Sequence, residues 1–273
     1  MAGVHPTALV EPGAKLGAGV TVGPYCIVGA NASLADGVEL AAHVVVAGHT
    51  TIGARTRVFP FAALGTPPQH ARYAGEPTRL VIGAENVIRE STTMNTGTVA
   101  GGGVTRVGDR NFFMTNSHVA HDCAVGSGVI MANNVALGGH VTVGDHVVFG
   151  GNCAVHQFVR IGRYGMISGV SGVTRDVIPY GSAIPFYNIR ASLAGLNLVG
   201  LKRRGFSREQ IRDMQRAYRT LFEDEAGTLE QRREAVAAQF AGNEAVMEIV
   251  EFLRAKSHRG FCVPTTGRSR HDS

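Results

Sequence analysis

Two histidines and an aspartate lie close together in the segment Ser117–Cys123, as His118, His121 and Asp122. An imidazole has an unperturbed pKa near neutrality, so it can take a proton from a hydroxyl group at physiological pH. Neighbouring side chains on a strand point to opposite faces, so the sequence alone does not place Asp122 against His121. The residue types predict general-base chemistry in this segment.

Residues that suit the same chemistry recur at steps of 18 positions beyond this pair. The steps from His121 reach Gly139 and Gln157, the steps from Asp122 reach His140 and Phe158, and His156 adjoins Gln157. If 18 residues form one turn of the fold, these side chains stack along one edge. A glycine N–H that is free of side-chain bulk can stabilise a developing oxyanion. The stack therefore predicts acyl transfer.

The element that positions this stack is a six-residue repeat. Apolar residues recur at every sixth position from Val4 to Leu64 and again from Val107 to Val173. This period fits neither an amphipathic helix nor simple strand alternation, and the 36 glycines suit many tight turns. The repeat predicts short strands in stacked coils, in which each strand turns one apolar side chain inward.

The repeat is interrupted twice. Eighteen residues separate Leu64 from Ile82 without loss of phase, which predicts that a projecting loop containing His70 and Arg72 replaces one coil. A glycine-rich stretch, Gly101–Gly103, then shifts the phase by one residue.

The hexads resemble those of the hexapeptide-repeat family, in which three hexads form one coil. This resemblance implies an all-β left-handed parallel β-helix, an exception to the right-handed crossover rule. Closer likeness is carried by Tyr-Ala-Gly-Glu-Pro-Thr-Arg at 73–79, Ser-His-Val-Ala-His-Asp-Cys at 117–123, Ala-Val-His-Gln-Phe at 154–158 and Gly-Leu-Lys-Arg-Arg-Gly-Phe-Ser-Arg at 200–208. Together these blocks are similar to the UDP-N-acetylglucosamine O-acyltransferase family of the lipid A pathway.

This resemblance implies transfer of a 3-hydroxyacyl group from acyl carrier protein to the 3-hydroxyl of UDP-N-acetylglucosamine, without a metal or bound cofactor. It also implies a homotrimer with active sites between subunits. The general base corresponds to His121, the oxyanion donor to the Gly139 N–H and the partner of the base to Asp122. The substrate-binding positions correspond to His70, Arg72, His118, His140, His156, Gln157, Asn197, Arg203 and Arg204. Acyl length is assigned to Gly169 and Arg190, and a glycine at 169 predicts a long acyl chain.

The projecting loop departs from the family pattern. The family carries Asp followed two residues later by Lys, where this chain has His70 and Arg72. Arginine keeps the positive charge with a different geometry, whereas His70 removes a carboxylate. An amine needs less orientation by a carboxylate than a hydroxyl does, so a UDP-sugar with a 3-amino group is the alternative acceptor.

The C-terminal part of the chain has a helical pattern. Capping boxes at Ser207-x-x-Gln210 and Thr228-x-x-Gln231 predict two helix starts, and Asn243 predicts a third. The expected domains are a β-helix over 1–190, a helical domain over 191–263 and a disordered tail over 264–273.

The helical part begins with a basic stretch, which contributes to the net charge of +5 of the whole chain. The stretch contains Lys202, Arg203, Arg204, Arg208, Arg212, Arg216 and Arg219. It is either a solvated helix face or a docking patch for the acidic acyl carrier protein. Nucleic acid is disfavoured because aromatic residues do not interleave with the charges in the way that base stacking requires. Four cysteines without a CxxC pair, no signal segment and no long apolar run predict a cytoplasmic protein with free thiols and no integral membrane segment.

Three other functions compete. The N-acyltransferase of the same pathway has an additional N-terminal uridine-binding domain, and hexads that begin at Val4 leave no room for one. A zinc γ-type carbonic anhydrase would use His118, His121 and His140 as ligands. That function would leave the Lys-Arg-Arg block at 202–204 unexplained. The third is a solenoid scaffold without catalysis.

Overall fold

The computed structural model describes residues 3–186, 188–224 and 226–265, and within these ranges the chain forms 28 short β-strands followed by four α-helices. The strands up to the first interruption are β1 (Gly3–Val4), β2 (Leu9–Val10), β3 (Lys15–Leu16), β4 (Thr21–Val22), β5 (Ile27–Val28), β6 (Ser33–Leu34), β7 (Glu39–Leu40), β8 (Val45–Val46), β9 (His49–Ile52), β10 (Arg57–Val58) and β11 (Ala63–Thr66). The next three are β12 (Arg79–Ile82), β13 (Val87–Ile88) and β14 (Thr93–Asn95).

The remaining strands follow a 3₁₀ turn at Val99–Gly101. They are β15 (Val104–Val107), β16 (Phe112–Phe113), β17 (His118–Val119), β18 (Ala124–Val125), β19 (Ile130–Met131), β20 (Ala136–Leu137), β21 (Thr142–Val143), β22 (Val148–Phe149), β23 (Ala154–Val155), β24 (Arg160–Ile161), β25 (Met166–Ile167), β26 (Gly172–Val173), β27 (Gly181–Pro185) and β28 (Ala191–Leu196).

The chain visits three parallel sheets in turn. The first sheet has the order β1-β4-β7-β10-β13-β16-β19-β22-β25-β27-β28, in which only the last pair is antiparallel. The second sheet has the order β2-β5-β8-β11-β14-β17-β20-β23-β26, and the third has the order β24-β21-β18-β15-β12-β9-β6-β3. Before that last pair, each strand therefore pairs with the strand one coil further on, which confirms the predicted parallel β-helix.

The hexad residues form the core, as the repeat predicts. Val119 pairs with Leu137 and Leu137 with Val155, and these three side chains are 0%, 1% and 4% exposed. Burial of one such side chain contributes about 1.5–3 kcal/mol relative to exposure. The first coil is less covered, since Val4 is 43% exposed. Stacking by neighbouring coils thus supplies the core that a two-residue strand cannot form alone.

The prediction that a loop replaces one coil is wrong. Ile52 in β9 pairs directly with Ile82 in β12, so the coils before and after the loop are adjacent and none is missing. Residues 67–78 are inserted between β11 in the second sheet and β12 in the third. The insertion contains 12 residues, a multiple of six, which is why it preserves the phase and resembles a lost coil in sequence.

The helices are α1 (Leu198–Arg203), α2 (Arg208–Phe222), α3 (Leu229–Gln239) and α4 (Glu244–Arg254). Both predicted capping boxes are present, at Ser207 and at Thr228, and Asn243 caps α4. One face of α2 is buried, through Ile211, Met214, Ala217, Tyr218 and Leu221. The helical pattern therefore predicted these starts correctly, while the short α1 was not foreseen.

Two further expectations concern thiols and membranes. The four cysteines are all free, as predicted, and they are also buried: Cys26, Cys123, Cys153 and Cys262. In the part of the chain that the structure describes, no helix combines the length and apolarity needed to cross a bilayer. Most of the predicted disordered tail, residues 266–273, lies outside the described residues.

Candidate active site

The candidate site lies on the edge where the chain passes from the second sheet to the third, which we call the site corner. Asp122, His140 and Phe158 occupy equivalent turn positions there with φ of 60°, 61° and 66°. The amide of His140 donates to the carbonyl of His121 at 3.0 Å, and the amide of Phe158 donates to that of Gly139 at 3.0 Å. The predicted stack of residues 18 positions apart is thus confirmed.

His121 and Asp122 form a hydrogen-bonded pair. Nδ1 of His121 lies 2.8 Å from Oδ2 of Asp122, and the two side chains are 11% and 1% exposed. The expectation from strand geometry, that neighbours point apart, does not apply because this pair lies on a turn and Asp122 has a left-handed backbone. Nε2 of His121 is left without a protein hydrogen bond in the described part of the chain, and can act as a base.

The carboxylate of Asp122 is fixed by the second interruption of the repeat, residues 96–103. The amide of Thr98 donates to Oδ1 at 2.8 Å, and the Thr98 hydroxyl donates to Oδ2 at 2.7 Å. A Cβ on Gly101 would lie 2.1 Å from the Asp122 carboxyl carbon, so only glycine permits this approach. Burial opposes ionisation of Asp122, but Thr98 and His121 hold the pKa of its carboxyl below the usual value.

Gly139 presents its backbone beside the base. A Cβ built on Gly139 would lie 2.5 Å from Cε1 of His121 and 2.7 Å from Nε2, so a larger residue would displace the ring. Within the described residues, the amide of Gly139 donates no hydrogen bond, whereas the flanking amides of Gly138 and His140 do. An unengaged N–H next to a histidine base has the arrangement required to stabilise an oxyanion.

The rings of two more histidines contact the pair. The rings of His70 and His140 lie edge-on to His121, at centroid distances of 5.3 and 5.2 Å. His140 also stacks on Phe158 at 4.4 Å, and its Nε2 is 3.6 Å from Oδ2 of Asp122. Burial lowers the pKa of His140; Asp122 opposes this shift, and His121 and His70 reinforce it. These two rings therefore lie against the ring of the base.

His118 lies one strand earlier, on β17. Its Nδ1 is 2.8 Å from the hydroxyl of Thr93. Burial, and then the proximity of His121, lower the pKa of His118, which favours a neutral ring at pH 7. His118 is therefore near the pair but is held by a different partner.

The loop that carries His70 and Arg72 projects over the same corner, and its conformation is fixed locally. The hydroxyl of Tyr73 donates to the carbonyl of Glu76 at 2.9 Å, and Thr78 bonds Thr96 at 2.9 Å. The amide of Arg72 donates to Nδ1 of His70 at 3.3 Å. The side chain of Arg72 is exposed, so of these two loop residues only His70 contacts the base.

His156 and Gln157 lie one coil beyond Gly139 and are exposed. Nε of Arg259 donates to the carbonyl of Gln157 at 2.9 Å, and the ring of His258 lies 5.6 Å from that of Phe158. The segment after α4 thus returns to the site corner, which the sequence analysis did not anticipate. No spacing signal connects it to the histidine motif.

The three remaining substrate-binding candidates, Asn197, Arg203 and Arg204, lie elsewhere. They line a cavity of about 770 Å³ on the outer face of the first sheet, beside His146 and the outward side chain of Ile130. The side chain of Asn197 caps α1 by accepting from Gly200 at 2.9 Å. Within one chain these residues are not brought to the histidine pair.

The two acyl-length candidates also lie outside the histidine cluster. Gly169 lies on the turn between β25 and β26, and a Cβ there would be 3.2 Å from the carbonyl oxygen of Gly151. Its φ is not positive, so turn geometry alone does not require glycine at 169. Arg190 is exposed, bridges Gly172 and donates to Thr174 at 3.2 Å. The assignment of acyl length to them stays a prediction.

A set of possible metal ligands is present, but it differs from the predicted zinc set. The atoms of His121, Asp122 and His140 lie within 4.8 Å of one another, whereas His118 is outside this group. Among the described residues of one chain, the three-histidine set expected for a carbonic anhydrase is therefore not assembled.

Proteins similar to this chain are known. Residues 176–262 match the model of a family described as UDP N-acetylglucosamine O-acyltransferase, domain 2. An acyl-[acyl-carrier-protein]–UDP-N-acetylglucosamine O-acyltransferase of Caulobacter vibrioides is 54% identical over 261 residues, 96% of this chain and 98% of that protein. One of Rhizobium etli is 48% identical over 267 residues, 98% of this chain and 97% of that protein.

Solved structures of proteins with the same activity in their names have a similar fold. The UDP-N-acetylglucosamine acyltransferase from Campylobacter jejuni has a TM-score of 0.89 at 37% identity and covers 96% of this chain and 100% of that chain. That of Francisella novicida has a TM-score of 0.91 at 30% identity and covers 99% and 100%. The parallel β-helix, the pair of His121 and Asp122 at the site corner and the similarity to these structures together define this chain as an acyltransferase of the hexapeptide-repeat class. More particularly, the chain belongs to the UDP-N-acetylglucosamine O-acyltransferase family.

Proposed function

We propose that this chain transfers a 3-hydroxyacyl group from acyl carrier protein to the 3-hydroxyl of UDP-N-acetylglucosamine, the first step of lipid A biosynthesis. The relatives are named for this donor and this acceptor. The observation that carries the proposal is the unengaged amide of Gly139 beside the ring of His121, whose other nitrogen is bound by Asp122.

The reaction follows from this arrangement. Nδ1 of His121 donates to Asp122, so Nε2 is free to take the proton of the acceptor hydroxyl while Asp122 stabilises the imidazolium. The acceptor oxygen bonds to the thioester carbonyl carbon, and the N–H of Gly139 donates to the oxyanion that develops. When the C–S bond breaks, the proton on Nε2 passes to the departing sulfur.

Cys123 follows the pair directly and would be the obvious nucleophile of a two-step mechanism. Its thiol donates to the carbonyl of Gly138 at 3.1 Å, and burial raises its pKa to about 12. A thiol with such a pKa is protonated at neutral pH, and only the thiolate attacks a carbonyl efficiently. Direct attack by the acceptor is therefore favoured over an acyl-cysteine intermediate.

A second acceptor is supported by His70. This ring lies 5.3 Å from that of His121, at the position where the resemblance leads us to expect a carboxylate. An imidazole can donate or accept one hydrogen bond and so can serve a hydroxyl or an amine. Transfer to a UDP-sugar with a 3-amino group, giving an amide, is the alternative function.

The proposed function is tested by kcat/KM for UDP-N-acetylglucosamine and for its 3-amino analogue, with one purified 3-hydroxyacyl-acyl carrier protein as donor. We expect the hydroxyl sugar to be preferred and activity to persist after chelation, because the mechanism uses no metal. His70→Asp should raise kcat/KM for the hydroxyl sugar, and His70→Asn is its uncharged control. A strong preference for the 3-amino sugar would show that the acceptor is an amine and not a hydroxyl. If neither sugar caused release of the thioester, acyl transfer itself would be contradicted.

A homotrimer with sites between subunits is also proposed. Asn197, Arg203 and Arg204 lie beside the first sheet, whereas His121 lies on the edge between the second and third sheets. Since the three sheets surround one core, that edge is opposite the first sheet. Both groups can contact one substrate only if they come from different chains, as closed cyclic symmetry allows.

Mixed oligomers test this assembly. When subunits carrying His121→Ala are combined with subunits carrying Arg203→Ala and Arg204→Ala, each trimer that contains both kinds should have about one third of the wild-type activity, because one of its three interfaces has both intact halves. A mixture of His121→Ala with Asp122→Asn subunits is the matched control, since both changes lie in the same half-site. Equal activity in the two mixtures would contradict a site between subunits.

The finer architecture is proposed from the same family. Left-handed winding, a β-helix over 1–190, a helical domain over 191–263 and a cytoplasmic location are typical of the proteins that the hexads resemble. The seven basic residues from Lys202 to Arg219 are all exposed, and among the described residues only Arg216 has an ion pair, with Asp213 at 3.7 Å. This uncompensated charge supports docking of the acidic acyl carrier protein.

A further inference from the structure

A column of aromatic rings runs along the edge between the third and first sheets. The rings of His146 and Tyr164 stack at 5.1 Å, and those of Tyr164 and Tyr180 at 5.5 Å, with interplanar angles of 8° and 18°. All three residues have φ near +60°, which turns their side chains alike on successive coils. Tyr164 therefore has ring neighbours on both sides and is held in one orientation.

Tyr164 contacts both ends of α1. Its carbonyl oxygen accepts a hydrogen bond from Nδ2 of Asn197, the N-cap of this helix, at 3.1 Å. The guanidinium carbon of Arg204, the C-cap, lies 4.5 Å from the centre of the Tyr164 ring. A helix of six residues is not stable by itself, so its orientation depends on contacts at its ends.

The guanidinium of Arg204 has no other fixed partner. Across the described ranges, it forms no side-chain hydrogen bond and no ion pair, and Phe206 next to it packs on the column, edge-on to Tyr164 and Tyr180. Arg204 also lines the cavity on the first sheet. A long side chain whose charge is not paired samples many rotamers unless a surface restrains it.

We infer that Tyr164 is a positioning residue whose ring holds Arg204, and with it the end of α1, in the orientation that binds an anionic group of the substrate. This inference rests on the proposed function of Arg204. The attraction between a cation and an aromatic ring supplies the restraint without neutralising the charge, so the guanidinium stays available to a phosphate. The sequence alone gives no reason to connect positions 164 and 204.

The experiment compares Tyr164→Phe with Tyr164→Asn in the full-length enzyme. Phenylalanine keeps the ring, whereas asparagine removes it and still tolerates the left-handed backbone. The Arg204→Ala variant first identifies the substrate that Arg204 helps to bind, since the KM for that substrate rises. For the same substrate, we expect Tyr164→Asn to raise KM about 3- to 30-fold. Its kcat should be unchanged, and Tyr164→Phe should match the wild type. A role confined to packing would instead lower the melting temperature without raising KM.

Tyr25→Asn is the matched control, since Tyr25 has φ of 58° and stacks on His43 at 5.0 Å, away from both sites. If Tyr164→Asn does not fold, Tyr164→Gly, which also tolerates a φ of 60°, removes the ring in the same test. An unchanged KM in the folded ring-deletion variant, or an equal rise in Tyr25→Asn, would overturn the inference.

A double-mutant cycle separates this inference from the proposed function. In an Arg204→Ala background, Tyr164→Asn should have no further effect on KM, because the restrained group is gone. If Arg204→Ala changes neither Michaelis constant, the proposed role of Arg204 fails. If Arg204→Ala raises KM but the effects of the two substitutions simply multiply, only the positioning role of Tyr164 fails.

Discussion

The His121→Ala enzyme is expected to lose about 10²–10⁴-fold in kcat, the usual contribution of a general base. The reason is that Nε2 of His121 is the unengaged nitrogen beside the amide of Gly139, while Nδ1 is bound by Asp122. Folding should survive, because the ring lies on the site corner and not in the stack of hexad residues. Release of thiol from 3-hydroxyacyl-acyl carrier protein measures the loss.

His49→Ala provides the control, since His49 is exposed on the outer face of the third sheet. His49→Ala should retain the kcat of the wild type. Its melting temperature should match that of His121→Ala to within the effect of one surface substitution. Near-full activity in His121→Ala would show that another group takes the proton and would refute the mechanism proposed above.

The Asp122→Asn enzyme is expected to lose a comparable amount, about 10²–10⁴-fold in kcat, through the wrong tautomer of His121. The carboxylate accepts from the Thr98 amide, the Thr98 hydroxyl and the His121 ring at once. The side-chain amide of an asparagine at this position can keep its oxygen toward the backbone N–H of Thr98 only if its NH₂ group faces Nδ1 of His121. That nitrogen must then accept, so the proton moves to Nε2 and the base is lost.

Thr98→Val is the graded control for this prediction. It removes one hydroxyl donor from Asp122 but leaves the Thr98 amide and the tautomer of His121 unchanged. Its loss in kcat should be much smaller than that of Asp122→Asn, because a carboxylate still accepts from Nδ1 of His121 and keeps the ring in the required tautomer. Wild-type kcat in Asp122→Asn would reduce Asp122 to a structural residue.

Much of the fold could be predicted because its signals are local and periodic. The hexad determines which residue of each strand faces the core, and the resemblance to the hexapeptide-repeat family implies a coil of three hexads, or 18 residues. That length alone aligns His121 with Gly139 and Asp122 with His140, so the main part of the site was visible in the spacing. Helix starts at Ser207 and Thr228 were predicted correctly because a capping box is a contact between residues three positions apart.

The sequence by itself therefore determined the core, through the six-residue period. With the coil length that the family resemblance implies, it also determined the stack of candidate residues, since both depend on spacing within one repeated unit. Only the tertiary structure decided that both interruptions emerge at the site corner, where His70 meets His121 and Thr98 fixes Asp122. It also decided that Tyr164 meets Arg204 across 40 positions. Such contacts depend on where the segments outside the repeat fold back onto the coils, and the six-residue period carries no information about those positions.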